Sequence, residues 1–382
     1  MDFQLSKEQK DIQRAARKFA RGELKDIARE CDINEEFPRS LLEKAAGLGF
    51  IGVFIDEEYG GAGLGFLEHA LILEELWKVD PGLAQELCSV TFGAEEILLF
   101  GSEEQKKTFL PPLAQGRAIM GFSITEPNAG SDACAAATSA VLDGGHYVVN
   151  GSKVMIGNGS IGSFLLVFCM TDPDAPSRGK RHSVMILETN REGYKANKIE
   201  GKMGLRASDT ANVFFSDVRV PEDNLLGKRG NGWAQLMAFF DHSRAYVAAH
   251  GVGLAQGALD LALEHVRNRE QFGQKIASFQ ITQFKLAEMA TRIELARTLA
   301  HKACWMVDND RIDTKTVAMA KWFAGRTAVE VVDEALQLHG GYGYINDHDI
   351  ERFYRAAKVL EIYEGTKEVE KIIIGRAVLG RY

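Results

Sequence analysis

The strongest constraint on the fold is a change of hydrophobic period that occurs twice along the chain. From Ser6 to about Gly116 the apolar residues recur at helical spacing, whereas between about Gly121 and Val220 they form short runs of β-forming residues separated by turn signals. After Gly230 the helical period returns. This order predicts an α+β protein with an N-terminal helical domain, a central antiparallel β domain (barrel or sandwich) and a C-terminal four-helix bundle. The predicted boundaries are 1–118, 119–228 and 229–382.

Individual elements follow from the same patterns. Ser6 and Ser102 have the spacing of helix N-caps, and a lone G-x-G-x-x-G match at Gly47, Gly49 and Gly52 follows a helical stretch, which argues against a dinucleotide-binding strand and turn. The predicted strands are His146–Gly151, Phe164–Met170, His182–Leu187 and Ala211–Phe215. The predicted bundle helices are Trp233–Asn268, Phe279–Asn309 and Thr314–His339, completed by the last helices of the chain.

The composition restricts the classes of function that the chain can have. The chain has 382 residues, 46% of them hydrophobic, and a net charge of −8, which supports a globular enzyme and argues against a broad nucleic-acid surface. The five cysteines are scattered without the paired spacing of a zinc site, so we expect reduced thiols, no disulfide, no metal and a cytoplasmic location. The stretch Met1–Ser6 lacks signal-peptide features, and no apolar run approaches the roughly 20 residues that cross a bilayer.

The segment Gln337–Glu370 carries the clearest chemical signal. Two glycine-bearing turns bracket a helical segment, Asp349–Lys358, and the second turn holds Glu364 beside Ile362 and Tyr363. These apolar neighbours would desolvate the carboxylate and raise its pKa, which makes Glu364 a candidate base. The alternative is an ordinary charged residue in a loop between helices.

This segment resembles the C-terminal signature of the acyl-CoA dehydrogenase family, flavoproteins that introduce a double bond next to an acyl thioester. The matching residues are Gln337, Gly340, Gly341, Gly343, Arg355, Lys358 and the turn Tyr363-Glu364-Gly365-Thr366. The string Phe122–Asp132 resembles the first signature of that family, and Glu57–Gly61 and Phe100–Lys107 resemble blocks of its N-terminal domain. The resemblance therefore covers essentially the whole chain.

The resemblance implies an FAD site. Backbone groups of Ile124 and Thr125 would hold the edge of the flavin ring, Gly130 and Ser131 would contact the pyrophosphate or the ligand, and Arg269 and Phe272 would reach the FAD of a neighbouring subunit in a homotetramer. The full set of implied cofactor contacts is Phe122, Ile124, Thr125, Gly130, Ser131, Met155, Gly157, Arg269, Gln271, Phe272, Gln280, Gln337, Gly340, Gly341, Thr366 and Glu368. Met155 and Gly157 are departures, because the family usually has a tryptophan and then a threonine or serine there.

The resemblance also implies the substrate and the reaction. Asp241 and Arg244 would border the channel for the pantetheine arm of CoA, and the alternative is an intrahelical Asp–Arg pair. The implied substrate contacts are Ser131, Phe240, Asp241, Arg244 and Gly365. Glu364 would abstract the α-proton of an acyl-CoA, FAD would accept the β-hydride, and the electrons would pass to an electron-transferring flavoprotein. The thioester oxygen would accept hydrogen bonds from the Glu364 amide and a flavin ribityl hydroxyl.

Several alternatives stay open on the sequence. The substrate is expected to be a short, branched or alicyclic acyl-CoA, while a glutaryl group is less favoured because Gly82–Glu86 offers no cation for a distal carboxylate. Glu95 and Glu96 are interpreted as a solvated pair, with an additional acid in the pocket as the alternative. The basic run Ser177–His182 is interpreted as a solvated hairpin, with contact to CoA phosphates as the alternative. A flavin-binding homologue without acyl-CoA turnover is the rival from another class.

Overall fold

A computed structural model of the chain describes residues 4–380 and has the predicted order of helical, β and helical regions. Met1, Asp2 and Phe3, on which part of the signal-peptide argument depends, lie outside the described residues. The first region contains α1 (Lys7–Phe19), α2 (Ala28–Asn34), α3 (Arg39–Gly47), α4 (Phe66–Trp77), α5 (Pro81–Ser89), α6 (Ala94–Phe100) and α7 (Glu103–Ala114).

The predicted helix starts are confirmed. The Ser6 hydroxyl accepts a hydrogen bond from the Gln9 amide at the start of α1, and Ser102 accepts one from Gln105 at the start of α7. Gly47 is the last residue of α3, so a helix and not a strand precedes the glycine triplet, as the sequence indicated.

The central region contains β1 (Met120–Ser123), β2 (Ser139–Asp143), β3 (His146–Gly157), β4 (Phe164–Met170), β5 (His182–Glu188), β6 (Tyr194–Lys198), β7 (Thr210–Pro221) and β8 (Leu225–Leu226). In the described part of the chain these strands form an eight-stranded sheet in the order β6-β7-β3-β2-β4-β5-β8, with β1 beside β4.

Most strand pairs of this sheet are antiparallel, as predicted, and the exceptions are two parallel contacts made by β4. The β1–β4 pair is parallel, with Met120 opposite Phe164, and a single parallel bridge joins β2 to β4. Parallel strands need a long connection, and β2 and β3 lie between β1 and β4 along the chain. The sequence pattern predicts strands one at a time and does not show this pairing.

The sheet folds over on itself and is buried on both faces at β4. Leu165 and Val167 of β4 share a core with Phe215 of β7, whereas Leu166 packs in a second core with Phe239 of the helical region that follows. Burial on both faces explains why Phe164–Met170 is a continuous run of apolar residues and does not alternate between apolar and polar residues.

The third region contains α8 (Gly232–Asn268), β9 (Glu270–Gln271), β10 (Gln274–Lys275), α9 (Gln280–Asp308), α10 (Thr314–His339), α11 (Ile350–Ala357) and α12 (Lys367–Leu379). Helix α10 packs against α8, α9 and α12, which confirms the predicted helical bundle.

The two helical regions share one hydrophobic core. Leu73 of α4, Val252 of α8 and Ala300 of α9 belong to the same buried cluster. The boundaries near residues 118 and 228 fall in the connections between α7 and β1 and between β8 and α8, and they stay predictions. Within residues 4–380, no helix has the length and apolarity needed to cross a membrane.

Candidate active site

The turn at Glu364 is held in an unusual backbone conformation. Glu364 has φ 58° and Gly365 has φ 102°, so two consecutive residues lie in the left-handed region just before α12. Thr366 then caps α12 by accepting a hydrogen bond from Val369 at 3.4 Å. A non-glycine residue at positive φ is strained, and such strain persists where surrounding contacts fix the backbone.

Helix α8 supplies two of those contacts. The Ser243 hydroxyl donates to Glu364 Oε2 at 2.6 Å, and Arg244 Nε donates to the Glu364 carbonyl at 2.7 Å. The Arg244 guanidinium also lies 4.3 Å from the centre of the Phe240 ring. The carboxylate and the peptide of Glu364 are therefore oriented separately by neighbouring residues.

Burial raises the pKa of Glu364 above its usual value, while the Ser243 hydrogen bond and the charges of Arg244 and Lys321 oppose that rise. Base activity requires the ionised carboxylate, so it is present above this pKa and is lost as the pH falls through it. A raised pKa brings a carboxylate closer to the range of an effective general base.

Polar and aromatic side chains line the interior next to this turn. The Tyr363 hydroxyl and His250 Nδ1 share a hydrogen bond at 2.7 Å, and His250 Nε2 lies 3.4 Å from the Cys88 thiol. Trp77 stacks on the His250 ring at 4.5 Å. Burial lowers the pKa of His250 well below its usual value, so the imidazole is neutral at physiological pH.

Glu95 and Glu96 are buried, so their interpretation as a solvated pair was wrong. They open the short helix α6, which begins inside the molecule and not at its surface. Glu95 Oε1 accepts from the Tyr246 hydroxyl at 2.9 Å, and burial raises the pKa of Glu95 to about 7. Burial raises the pKa of Glu96 to about 9, which keeps it neutral, and neither of its carboxyl oxygens has a hydrogen-bond partner in the described structure.

The two segments that the sequence predicted beside the flavin ring lie next to each other. The Val154 amide donates to the Thr125 carbonyl at 2.9 Å, which joins the end of β1 to β3. The buried Lys153 ammonium donates to the Ile124 carbonyl at 2.8 Å and pairs with Glu126 at 3.0 Å. We call the Ile124–Thr125 and Met155–Gly157 segments the flavin shelf.

The flavin shelf has room for a flat ligand. The Met155 side chain is 73% exposed, and no heavy atom lies within 4 Å of the position that a Cβ would take on Gly157. No heavy atom lies within 4 Å of the position that a Cβ would take on Gly130 either.

The predicted basic run Ser177–His182 lies between β4 and β5, and its residues Arg178–Lys180 form a short 3-10 turn. Arg178 pairs at 2.8 Å with the exposed Asp132, which follows Ser131.

Another group of predicted flavin contacts forms a separate surface. Gln271 and Phe272 lie at the hairpin of β9 and β10, and Phe272 is 93% exposed. The guanidinium of Arg269 lies 5.3 Å from the ring of Tyr342, which joins the hairpin to the turn that holds Gly340 and Gly341. Gln280 begins α9, and Gln337 is exposed near the end of α10. Within residues 4–380, no hydrogen bond or ring contact joins this surface to the flavin shelf.

A row of aromatic rings connects Phe122, two residues before the flavin shelf, to the neighbourhood of Glu364. Phe122 at the end of β1 lies 4.9 Å from Phe239 of α8, which lies 5.5 Å from Phe240. Phe240 contacts Arg244, and Arg244 binds the Glu364 carbonyl. The start of α8 therefore links the end of β1 to the turn that holds the candidate base through packed side chains.

Asp241 and Arg244 do not pair with each other in the described structure. Asp241 accepts from the Thr314 hydroxyl at 2.9 Å, while the buried Arg244 pairs with Glu370 at 3.2 Å. The intrahelical pair is therefore not formed. The roles of Asp241 and Arg244 in substrate binding stay predictions, as do those of Ser131 and Gly365.

Comparison with known proteins decides the family. Family models match the chain along its length: acyl-CoA dehydrogenase N-terminal domain (residues 6–117), middle domain (121–218) and C-terminal domain (230–379). The chain belongs to the acyl-CoA dehydrogenase family. Members are FAD-dependent, so this protein is a flavin-dependent oxidoreductase. The assignment of the flavin shelf to the flavin ring stays a prediction.

Relatives cover the whole chain. An acryloyl-CoA reductase (NADH) from Anaerotignum propionicum is 42% identical over 100% of this chain and 97% of its own, and a short-chain specific acyl-CoA dehydrogenase from Clostridium acetobutylicum is 41% identical over 98% of both. The butyryl-CoA dehydrogenase structure from Megasphaera elsdenii has a TM-score of 0.96 at 38% identity over 100% of both chains. A chain in a structure of the electron transferring flavoprotein of Acidaminococcus fermentans has a TM-score of 0.97 at 43% identity, with both chains fully covered.

Sequence reasoning missed Ser243, Lys321 and Glu370 as neighbours of the turn. Ser243 lies in the same block as Asp241 and Arg244, so its helical position next to Arg244 was a usable signal. Lys321 comes from another helix and had no signal. In the described residues, no cluster of histidine, cysteine, aspartate and glutamate is arranged to hold a metal ion, and all five cysteines are free.

Proposed function

We propose that this acyl-CoA dehydrogenase family member oxidises an acyl-CoA thioester to the 2-enoyl-CoA, with Glu364 as the base that removes the α-proton. The observation that carries the proposal is the Glu364 turn. Its carboxylate is oriented by Ser243 at 2.6 Å, and its backbone N–H donates to no other group in residues 4–380. One residue therefore offers both a base and a donor for the thioester oxygen.

The residues around the Glu364 turn have separate roles in the proposed reaction. Ser243 and Arg244 hold the carboxylate and the peptide, so that little reorganisation is needed when the α-proton is removed. Tyr363, which precedes Glu364 in the chain, is fixed by its hydrogen bond with His250, on which Trp77 stacks. When bound on the flavin shelf, FAD would supply the acceptor for the β-hydride.

Electron transfer to an electron-transferring flavoprotein is part of the proposal. Its support is the full-length likeness to a chain in the Acidaminococcus fermentans structure. A cytoplasmic location is also proposed, and the five free cysteines agree with it. The substrate is proposed to be a short, branched or alicyclic acyl group, and the likeness to the short-chain specific acyl-CoA dehydrogenase of Clostridium acetobutylicum supports a short one.

Two relatives, the acryloyl-CoA reductase and a 3-(aryl)acrylate reductase from Clostridium sporogenes at 38% identity, favour a second candidate, the same chemistry run towards reduction. In both directions the proton moves between the α-carbon of the acyl group and the Glu364 carboxyl. Reduction requires this carboxyl to be protonated, so that it acts as an acid, whereas dehydrogenation requires it to be ionised, so that it acts as a base.

Anaerobic titration of the purified protein with a panel of acyl-CoAs tests the proposed function. We expect loss of flavin absorbance, or a charge-transfer band, with at least one short, branched or alicyclic thioester. The matching enoyl-CoA, added to dithionite-reduced protein, reports the reverse direction. No flavin response to any acyl-CoA or enoyl-CoA would contradict the proposal and support a homologue without acyl-CoA turnover.

The surface at the β9–β10 hairpin supports the predicted homotetramer with flavin contacts from a neighbour. Phe272 is 93% exposed, and exposed apolar side chains continue along α9 at Ile281, Phe284 and Leu295. Several large exposed apolar side chains in one region are typical of a protein interface.

We expect Phe272→Asp to lower both the assembly state and the FAD content of the purified protein, because it places a charge in an apolar contact. Light scattering after gel filtration measures the mass, and the ratio of flavin to protein absorbance measures the cofactor. Val141→Asp on β2, where Val141 is 62% exposed, is the matched control and should change neither. Unchanged mass and flavin content in Phe272→Asp would contradict the assignment.

A further inference from the structure

The peptide groups of the Glu364 turn are held by cations from two different helices. Arg244 of α8 donates to the Glu364 carbonyl, and Lys321 of α10 donates to the next carbonyl, that of Gly365. Lys321 is itself buried. Two consecutive carbonyls at positive φ are thus bound by positive charges, which fixes the strained backbone from both sides.

Glu370 lies directly against the same turn. A Cβ on Gly365 would be 2.2 Å from Glu370 Oε1 and 2.9 Å from Arg244 Nη2, so the turn and these two side chains are in contact without space between them. Glu370 is fully buried in the first turn of α12 and pairs with Arg244 Nε at 3.2 Å. Glycine at position 365 is required by both its φ and this contact.

The cluster contains two carboxyl groups, Glu364 and Glu370, and two cations, Arg244 and Lys321. Buried charges are costly unless they are balanced. Arg244 and Glu370 form an ion pair, whereas the Glu364 carboxylate accepts from the Ser243 hydroxyl and the Lys321 ammonium donates to the Gly365 carbonyl. The charges of Arg244 and Lys321 act on the Glu364 carboxyl.

We propose that Lys321 and Glu370 are positioning residues that hold the Glu364–Gly365 turn and bias the protonation of Glu364 in opposite directions. This inference rests on the proposed function of Glu364 as the base. Neither residue is assigned to touch the substrate, and both act through the turn.

The directions follow from the charges that face Glu364. The Lys321 and Arg244 cations lower the pKa of Glu364. Burial and the like charge of Glu364 raise the pKa of Glu370 to about 7, and the same mutual repulsion acts on Glu364 wherever Glu370 is ionised. The other groups that face Glu364 are the Ser243 hydroxyl and Tyr246 of α8, Cys88 of α5, Glu95 of α6 and Tyr363. Burial raises the pKa of the Cys88 thiol and of the Tyr363 phenol, so both are neutral at physiological pH.

The test is the pH dependence of kcat/KM for the acyl-CoA identified by titration. Lys321→Met removes a cation, so the acidic limb of the profile should shift to higher pH by about one unit. Glu370→Gln removes a like charge, so the acidic limb should shift to lower pH by a similar amount. The double variant should return to within about half a unit of the parent, because the two effects cancel. Lys321→Arg keeps the charge and should leave the limb in place.

Control variants and a second measurement distinguish an effect of charge on Glu364 from an effect of the substitution on folding. Lys285 and Glu334 form a partly exposed lysine–glutamate pair between α9 and α10, and neither is among the groups that act on Glu364, so Lys285→Met and Glu334→Gln should not move the limb. An infrared pH titration of the Glu364 carboxyl band, assigned by subtracting the Glu364→Gln variant, should show the same opposite shifts without any turnover.

Shifts in the same direction, or no shift despite lower kcat in both variants, would overturn the proposal and leave a merely structural role. Failure of the parent protein to respond to acyl-CoAs would instead overturn the proposed function. The infrared titration still decides the positioning role in that case.

Discussion

Glu364→Gln is expected to lower kcat by about 10⁴-fold while FAD stays bound, because the amide keeps the size and hydrogen-bonding oxygen of the side chain but has no basic site at accessible pH. The Ser243 hydroxyl, which donates to Glu364 Oε2 in the parent, can still donate to the amide oxygen. The turn, its Arg244 contact and the neighbouring flavin shelf should therefore be unchanged.

Single-turnover reduction of the flavin by the acyl-CoA is the measurement, since it isolates the chemical step from product release. Substrate binding should persist and should be visible as a perturbation of the flavin spectrum. Glu192→Gln, an exposed glutamate in the connection between β5 and β6, is the matched control and should retain full activity. Turnover at the parent rate in Glu364→Gln would show that another group is the base, and the buried Glu95 would be the next candidate.

The order of helical and β regions was predictable because hydrophobic period is a local property. The caps at Ser6 and Ser102, the strands from His146 to Phe215 and the long bundle helices all follow from neighbouring residues. The parallel pairing of β1 with β4 did not follow, since it depends on which strands meet in space. The shared core of the two helical regions was missed for the same reason.

The candidate site was predictable where one short segment carries it. Glu364, Gly365 and Thr366 are adjacent in sequence, and the structure shows the expected turn. The contacts that orient Glu364 were only partly predictable. Arg244 was predicted near the site and Ser243 lies next to it, but the two are separated from Glu364 by 120 and 121 positions, so their contact with the turn depends on the fold. The burial of Glu95 and Glu96 was missed because a pair of glutamates normally indicates surface, and the place where α6 begins is set by packing between regions.

The contact between Asp80 and Arg352 should contribute much of the stability that holds the two helical regions together. Asp80 Oδ1 caps α5 by accepting from Leu83 at 2.8 Å, and Asp80 Oδ2 accepts from Arg352 Nε of α11 at 2.7 Å. Both side chains are buried, and Arg352 also pairs with Asp349 at 3.0 Å. One carboxylate therefore fixes both a helix start and a contact between helices.

Arg352→Met is expected to lower the free energy of unfolding by about 3–5 kcal/mol, because it leaves the buried Asp80 charge without its main partner. Burial raises the pKa of Asp80 and Arg352 opposes that rise, so loss of Arg352 raises it further. A raised folded-state pKa destabilises the fold where the group is ionised, so the deficit should be larger at neutral pH than in acid, where Asp80 takes up a proton. Denaturant unfolding at fixed protein and FAD concentration measures the difference.

An exposed pair provides the comparison. Arg219 and Asp143 lie 3.2 Å apart with side chains 52% and 67% exposed, so Arg219→Met should cost less than about 1 kcal/mol. Asp80→Asn combined with Arg352→Met removes the buried charge and keeps a capping oxygen, so it should recover part of the loss. Equal losses for Arg352→Met and Arg219→Met would show that the buried pair is not what joins the two helical regions, and the shared apolar core would then carry that contact alone.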